Sequence, residues 1–248
     1  MFVNKLFPKR LTVGISVKGP LHVKKNIPNQ DSFLCFKSFG FTLLVISDGL
    51  GSKKYSDFGS KMVCLAVKNI CKQDFKLIKN IKQFDWDNFL SRAYLEWKKL
   101  IEKENYKIND CCATCSFAII HKDNLYVASL GDGLIFIKPA MDKNTSVLLF
   151  DKSEEDFSNV TKCFCTENNI SDWRREILNK EDFSDILLTT DGIASDLEND
   201  KIQDFCRDII LELQNKSAKK AKYFVKNILE NWPVPKHSDD KTFVYAKL

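Results

Sequence analysis

What most constrains this chain is the order of its apolar patterns. Short β-rich runs come in groups, helical stripes come in pairs, and the two do not alternate one for one. The first group is 11–18 (LTVGISVK), 32–39 (SFLCFKSF) and 41–47 (FTLLVIS), rich in the β-branched and aromatic residues that pack well on a pleated surface. Two helical stripes follow. Val63, Ala66, Val67, Ile70 and Cys71 share a face after a Ser56/Asp57 start signal, and Trp86, Phe89, Leu90, Ala93, Tyr94, Trp97, Leu100 and Ile101 share another. Further strands are expected at 115–120, 124–130, 133–138 and 146–150, with HKDN as a hairpin turn between the first two, and then at 185–190. A second helical pair, Phe205/Ile209/Ile210/Leu213 and Phe224/Val225/Ile228/Leu229/Trp232, precedes a last strand at 242–247. A doubly wound parallel sheet needs a crossover helix after nearly every strand. This order instead predicts an α+β fold of segregated antiparallel sheets covered by helices.

The 248 residues contain no internal repeat and no Gly/Ser/Pro linker, so one domain over 1–248 is expected. A 44% hydrophobic fraction supplies a core, and 29% charged residues exclude a membrane-embedded chain. No apolar run approaches the roughly 20 residues that span a bilayer, and the N-terminal stretch lacks a secretory h-region. A cytoplasmic protein is expected. The net charge of +5 is spread among interspersed signs, with no basic–aromatic motif for nucleic acid. A mild positive field would still favour anionic, phosphorylated partners.

Nine cysteines are an odd number, and many sit in apolar runs (Cys35, Cys64, Cys71, Cys115, Cys206). They read as small buried hydrophobes in a reducing compartment. Cys112/Cys115 have CxxC spacing and Cys163/Cys165 CxC spacing. A zinc site would need both pairs to converge, and no structural metal is expected there.

Five aspartates share a different context. Asp31 precedes a strand, Asp48 and Asp191 end apolar strands and open DGLGS and DGIAS, Asp132 lies in the turn LGDGL, and Asp239 precedes the last strand within SDDKT. Asp-Gly is common turn chemistry, because Asp tolerates the left-handed region and Gly supplies positive φ. A core strand that ends in a carboxylate, however, aims charge at one rim of its sheet. Several such rims brought together would need cations. Oxygen-rich clusters suit Mg²⁺ or Mn²⁺ rather than zinc, and such ions act on phosphate esters.

Taken in order, GISVKGPLHVKKNIPNQDSF, LLVISDGLGSKKYSDFGSKMV, CCATCSFAII…LYVASLGDGLIF, DILLTTDGIAS and SDDKTFVYAKL resemble the protein phosphatase 2C family, in particular its bacterial branch. The resemblance spans residues 11 to 248. It implies a four-layer α-β-β-α sandwich, with two central antiparallel sheets flanked by helices and a two-metal site at one end. It also implies metal-dependent hydrolysis of phosphoserine or phosphothreonine in proteins, in bacterial signalling, opposite a serine/threonine kinase. By the same resemblance, Asp48 would bridge two Mn²⁺ or Mg²⁺ ions and the Gly49 carbonyl would bind one. Asp191 and Asp239 would serve one ion each, Asp31 would act through water, and Asp132 would hold a third, weaker ion.

Two departures stand out. The arginine that usually precedes the Asp31 position to grip phosphate is absent from HVKKNIPNQD, leaving His22, Lys24 or Lys25 for that task; lysine would give a point charge rather than a bidentate fork. Leu50 stands where some members carry a histidine. Two other functions compete: a non-catalytic sensor or scaffold of the same fold, and a metal-dependent nuclease. Retention of the core aspartates counts against the first, and the lack of a basic groove signature against the second.

Overall fold

The computed structural model describes residues 11–38, 40–77, 84–140, 146–149, 161–167, 169–234 and 237–248. Among the described residues, ten strands form two five-stranded sheets. The first contains β1 (Thr12–Val17), β10 (Lys241–Lys247), β9 (Phe183–Thr189), β6 (Leu134–Pro139) and β7 (Val147–Leu149), in that spatial order. The second contains β2 (Ser32–Lys37), β3 (Phe41–Ser47), β4 (Cys115–His121), β5 (Asn124–Leu130) and β8 (Arg174–Asn179). Every pairing is antiparallel.

Side-chain alternation builds the layers. On β3, Leu43 and Val45 face one apolar cluster and Leu44 and Ile46 another. On β10, Phe243 and Tyr245 face outward into a third cluster, while Val244 and Ala246 face inward. A strand buried on both faces therefore reads as a continuous apolar run, because successive side chains alternate sides of the sheet. The inward residues form the core between the sheets. The outward faces are covered by α2 (Ser56–Leu77) and α3 (Trp86–Lys103) on one side, and by α5 (Ile202–Gln214) and α6 (Ala218–Glu230) on the other. The result is the expected α-β-β-α sandwich. Two helices begin at side-chain caps: Asp85 accepts from the Asn88 amide at 3.0 Å to start α3, and Ser217 caps α6. Trp97 is fully buried on α3 and gives its indole N–H to the Gly59 carbonyl at 3.2 Å, which satisfies its one polar group.

Strand β8 and helix α1 (Pro20–Lys25) are among the elements that escape the sequence patterns. Strand β8 (RREILN) is a sheet edge with exposed and half-buried positions, so it lacks an apolar signature. The six-residue α1 has Pro at its start and ends at Asn26 with φ of 55°, too short to show a stripe.

The cysteine expectation needs correction. Seven cysteines are free, but Cys112 and Cys165 form a disulfide with a Cα–Cα distance of 4.6 Å. Cys115 turns into the core, while Cys112 meets Cys163 and Cys165 instead. The 53 residues separating the bonded pair hide this from sequence spacing.

Candidate metal centre

Register gathers the aspartates at one rim. Ser32 pairs with Ser47, so Asp31 and Asp48, one residue beyond each, lie side by side. In the other sheet Phe243 pairs with Thr189, which sets the end of β9, and with it Asp191, beside the Asp239–Asp240 approach to β10. The turn carrying Asp132 leaves β5 in one sheet and enters β6 in the other, and Leu134 also pairs with Thr189. Thr190 joins the sheets: its Oγ1 donates to Asp31 Oδ2 at 2.7 Å and accepts from the Thr242 amide at 3.1 Å.

The carboxylates feel one another. Burial pushes Asp31 up to about 7, against hydrogen bonds from Thr190, Thr242 and Asp48. Asp48 lies well above the usual carboxylate range, first through burial and then through Asp31, Asp191 and Asp239. Burial, then Asp132, Asp239 and Asp31, push Asp191 up to about 8. Packed carboxylates of one sign resist ionising together without a counter-charge. The donors are oxygens, which matches hard divalent cations. Asp48, Asp191, Asp239 and the Gly49 carbonyl are the groups that would hold such ions, with Asp31 behind them.

The glycines after these aspartates are not there for positive φ, because neither Gly49 nor Gly192 lies in that region. A Cβ at Gly49 would strike the Ser56 backbone, and one at Gly192 would strike the Asp240 carbonyl. Each permits close backbone approach at the rim. Asp191 opens a short helix, α4 (Asp191–Ala194), rather than a simple turn.

A cavity of about 110 Å³ is lined by His22, Gln30, Asp48, Gly49 and Asp239, among others. Of the three basic candidates for phosphate, His22 is the one in that lining; Lys24 and Lys25 are exposed in the last turn of α1. His22 Nδ1 donates to Asp240 Oδ2 at 2.9 Å, since a carboxylate only accepts. His22, Asp239 and Asp240 bring potential ligand atoms within 4.8 Å of one another. The Asp240 oxygens, however, already accept from the Gly19 amide (2.7 Å) and the Gln30 amide (2.6 Å) as well as His22. Asp240 therefore positions His22 and the two amides rather than offering a metal ligand. Sequence reading passed over Asp240, whose only signal was the doubled aspartate of SDDKT. It also passed over Lys241, which is 2% exposed, sits 3.2 Å from Asp196, and lines a neighbouring cavity of about 190 Å³ with Asp191 and Asp239.

The family model for protein phosphatase 2C matches residues 18–230. The chain belongs to the protein phosphatase 2C family and is an enzyme of its serine/threonine phosphatase type. Among solved structures it is similar to a bacterial serine phosphatase (18% identity, TM-score 0.67, covering 95% of this chain and 96% of that one). It is also similar to the serine/threonine phosphatase Stp1 from Staphylococcus aureus (18%, 0.66, 96% and 94%). A third likeness is to the catalytic domain of the serine/threonine protein phosphatase PstP in complex with two manganese ions (13%, 0.62, 96% and 97%). No curated protein matches the chain by sequence. No helix among the described residues is long and apolar enough to cross a membrane.

Proposed function

We propose that residues 1–248 form one catalytic unit that removes phosphate from phosphoserine or phosphothreonine in proteins, with two divalent cations, Mn²⁺ or Mg²⁺, held by Asp48, Gly49, Asp191 and Asp239. The observation that carries this reading is the convergence of Asp31, Asp48, Asp132, Asp191 and Asp239, each pressing on the ionisation of its neighbours. Once bound, the ion pair would supply Lewis acidity and a more acidic water for attack on phosphorus. The chain's own part is geometric and electrostatic. Asp48 spans the centre, with its backbone fixed by Thr114: the Asp48 amide donates to Thr114 Oγ1 at 2.9 Å, and the Thr114 amide donates to the Asp48 carbonyl at 2.8 Å. Asp31, steadied by Thr190, is placed to orient water and accept its proton. His22, pinned by Asp240, supplies the contact to substrate phosphate that an arginine would otherwise make.

A phosphoprotein substrate implies a serine/threonine kinase to supply it, and we place both in the cytoplasm. The deciding experiment is hydrolysis of an aryl phosphate and a phosphopeptide with Mn²⁺, with Mg²⁺ and with EDTA. Turnover that is lost in EDTA and restored by metal supports the reading. Metal binding without turnover would instead favour a sensor or scaffold.

A further inference from the structure

Behind the Asp48 loop lies a sulfur cluster that phosphate hydrolysis does not use. The Sγ atoms of Cys112, Cys163 and Cys165 all lie within 4.8 Å of one another. Cys112 and Cys165 are bonded, and Cys163 is a free thiol beside them. Cys112 is buried, whereas Cys163 and Cys165 are half-buried and open to small reagents. Of the other free cysteines, Cys64, Cys71, Cys111, Cys115 and Cys206 are buried and Cys35 is exposed on strand β2; none belongs to this cluster.

The bond spans segments already joined by backbone hydrogen bonds. The Ala113 amide donates to the Phe164 carbonyl at 3.1 Å, and the Phe164 amide to the Ala113 carbonyl at 2.8 Å. On its other edge the Cys112–Thr114 segment holds the metal loop. The Leu50 amide donates to the Cys112 carbonyl at 3.0 Å, the Thr114 amide to the Asp48 carbonyl at 2.8 Å, and Gly49 bridges to Ala113. Cys112 therefore carries the disulfide through its side chain and the loop that presents Asp48 and Gly49 through its carbonyl.

We propose that Cys112, Cys163 and Cys165 form a thiol–disulfide exchange site that sets how firmly the Asp48–Gly49 loop is held. A neighbouring free thiol makes a disulfide exchangeable without an external oxidant. Cys163, as thiolate, attacks Cys165 Sγ. The Cys163–Cys165 bond forms, the Cys112–Cys165 bond breaks, and the electron pair leaves on Cys112 Sγ, which takes up the proton Cys163 gave up. An external dithiol can instead reduce the bond fully: Cys112 and Cys165 each gain a hydrogen while the dithiol closes to its own disulfide. Burial pushes the Cys163 thiol up to about 11, with Lys53 opposing and Asp132 adding to the rise, so exchange is slow at rest. Releasing Cys112 removes the covalent tie behind the loop and leaves only its hydrogen bonds.

The test pairs disulfide mapping with amide hydrogen exchange, both independent of turnover. Non-reduced protein is alkylated, digested and read by mass spectrometry, for wild type and for Cys112→Ser after treatment with oxidised glutathione. The expected bonds are Cys112–Cys165 in wild type and Cys163–Cys165, the product of the exchange, in the variant. On reduction with dithiothreitol, the amides of Leu50 and Thr114 should exchange about 5-fold faster or more, the lower end of ordinary coupling between sites. Unbonded Cys163 and Cys165 in the variant after glutathione treatment would overturn the proposal, and so would unchanged exchange rates on reduction. Uptake of one equivalent of zinc by the reduced wild type, lost in Cys165→Ser, would also overturn it, because the cluster would then be a thiolate metal site.

Discussion

His22 Nδ1 rests 2.9 Å from Asp240 Oδ2, although 218 residues separate the two in the chain. The same carboxylate accepts from the Gly19 and Gln30 amides, and the Gln30 carbonyl in turn accepts from the Gly49 amide at 3.1 Å. One buried aspartate thus ties the His22 imidazole to the loop that follows Asp48.

His22→Ala should raise KM for a phosphopeptide about tenfold with kcat little changed, as expected for a contact made equally in ground and transition states. Lys24→Ala/Lys25→Ala should stay near wild type, because both lysines are exposed on α1 and outside the cavity lining. Steady-state kinetics decide. If the lysine pair raises KM and His22→Ala does not, phosphate is gripped from the outer turn of α1.

Asp240→Ala strands two backbone amides and an imidazole N–H. Leaving buried donors unpaired costs about 1–3 kcal/mol each, so the variant should unfold at clearly lower denaturant concentration. Asp240→Asn, which keeps one acceptor oxygen, should lie between. A chemical denaturation series tests the order, and equal midpoints for all three proteins would contradict it.

Asp48→Asn and Asp191→Asn should each abolish metal-dependent turnover while retaining wild-type circular dichroism. Each removes a charge the ions need, yet each also relieves repulsion among buried carboxylates. In EDTA the variants should therefore be at least as stable as wild type. Near wild-type turnover with Mn²⁺ in either variant would end the two-ion reading.

Metal removal should make stability pH-dependent in a set direction. Asp31 is held up to about 7 and Asp191 up to about 8, whereas an unfolded aspartate titrates near 3.9. Between these values the folded state binds more protons than the unfolded one, so the free energy of unfolding falls as pH rises. In EDTA the melting temperature should drop from about pH 5 to about pH 8, with a shallower drop in Asp191→Asn; saturating Mn²⁺ should restore it by mass action. Scanning calorimetry checks this, and a metal-free melting temperature that rises over the interval would refute it.

Asp132→Ala should spare the two tight ions and remove a weaker third. Asp132 bears on Asp191 electrostatically, and its Oδ2 accepts from Thr161 Oγ1 at 3.3 Å. Calorimetric titration should count one ion fewer, and activity should no longer climb after the tight sites fill. Loss of all ions would place Asp132 in the central pair, and an unchanged count would leave it a shaper of the β5–β6 turn.

Much of this was legible in the chain alone, for identifiable reasons. Asp48 and Asp191 stood out because each ends a strand buried on both faces, and such strands appear as unbroken apolar runs whose end is visible in one dimension. Grouped strands and paired helical stripes were enough to exclude a parallel sheet. The edge strand β8 stayed hidden because its half-exposed face carries charge rather than apolar alternation. The short α1 stayed hidden because six residues do not complete a readable period.

Local pattern in the sequence thus determined which residues form strands, which strands end in carboxylates, and that the layers are segregated. Tertiary structure alone decided which of those ends meet. Antiparallel register set Asp31 beside Asp48, the two-sheet packing brought Asp191 to them through Thr190, and the approach to β10 carried Asp240 to His22. It likewise turned Cys115 into the core and bonded Cys112 to Cys165 rather than leaving both as isolated apolar fillers. The physical reason is that backbone periodicity is set by neighbours a few residues away. Shared charge, a hydrogen bond or a sulfur–sulfur bond depends instead on distances that exist only once the sheets have closed on each other.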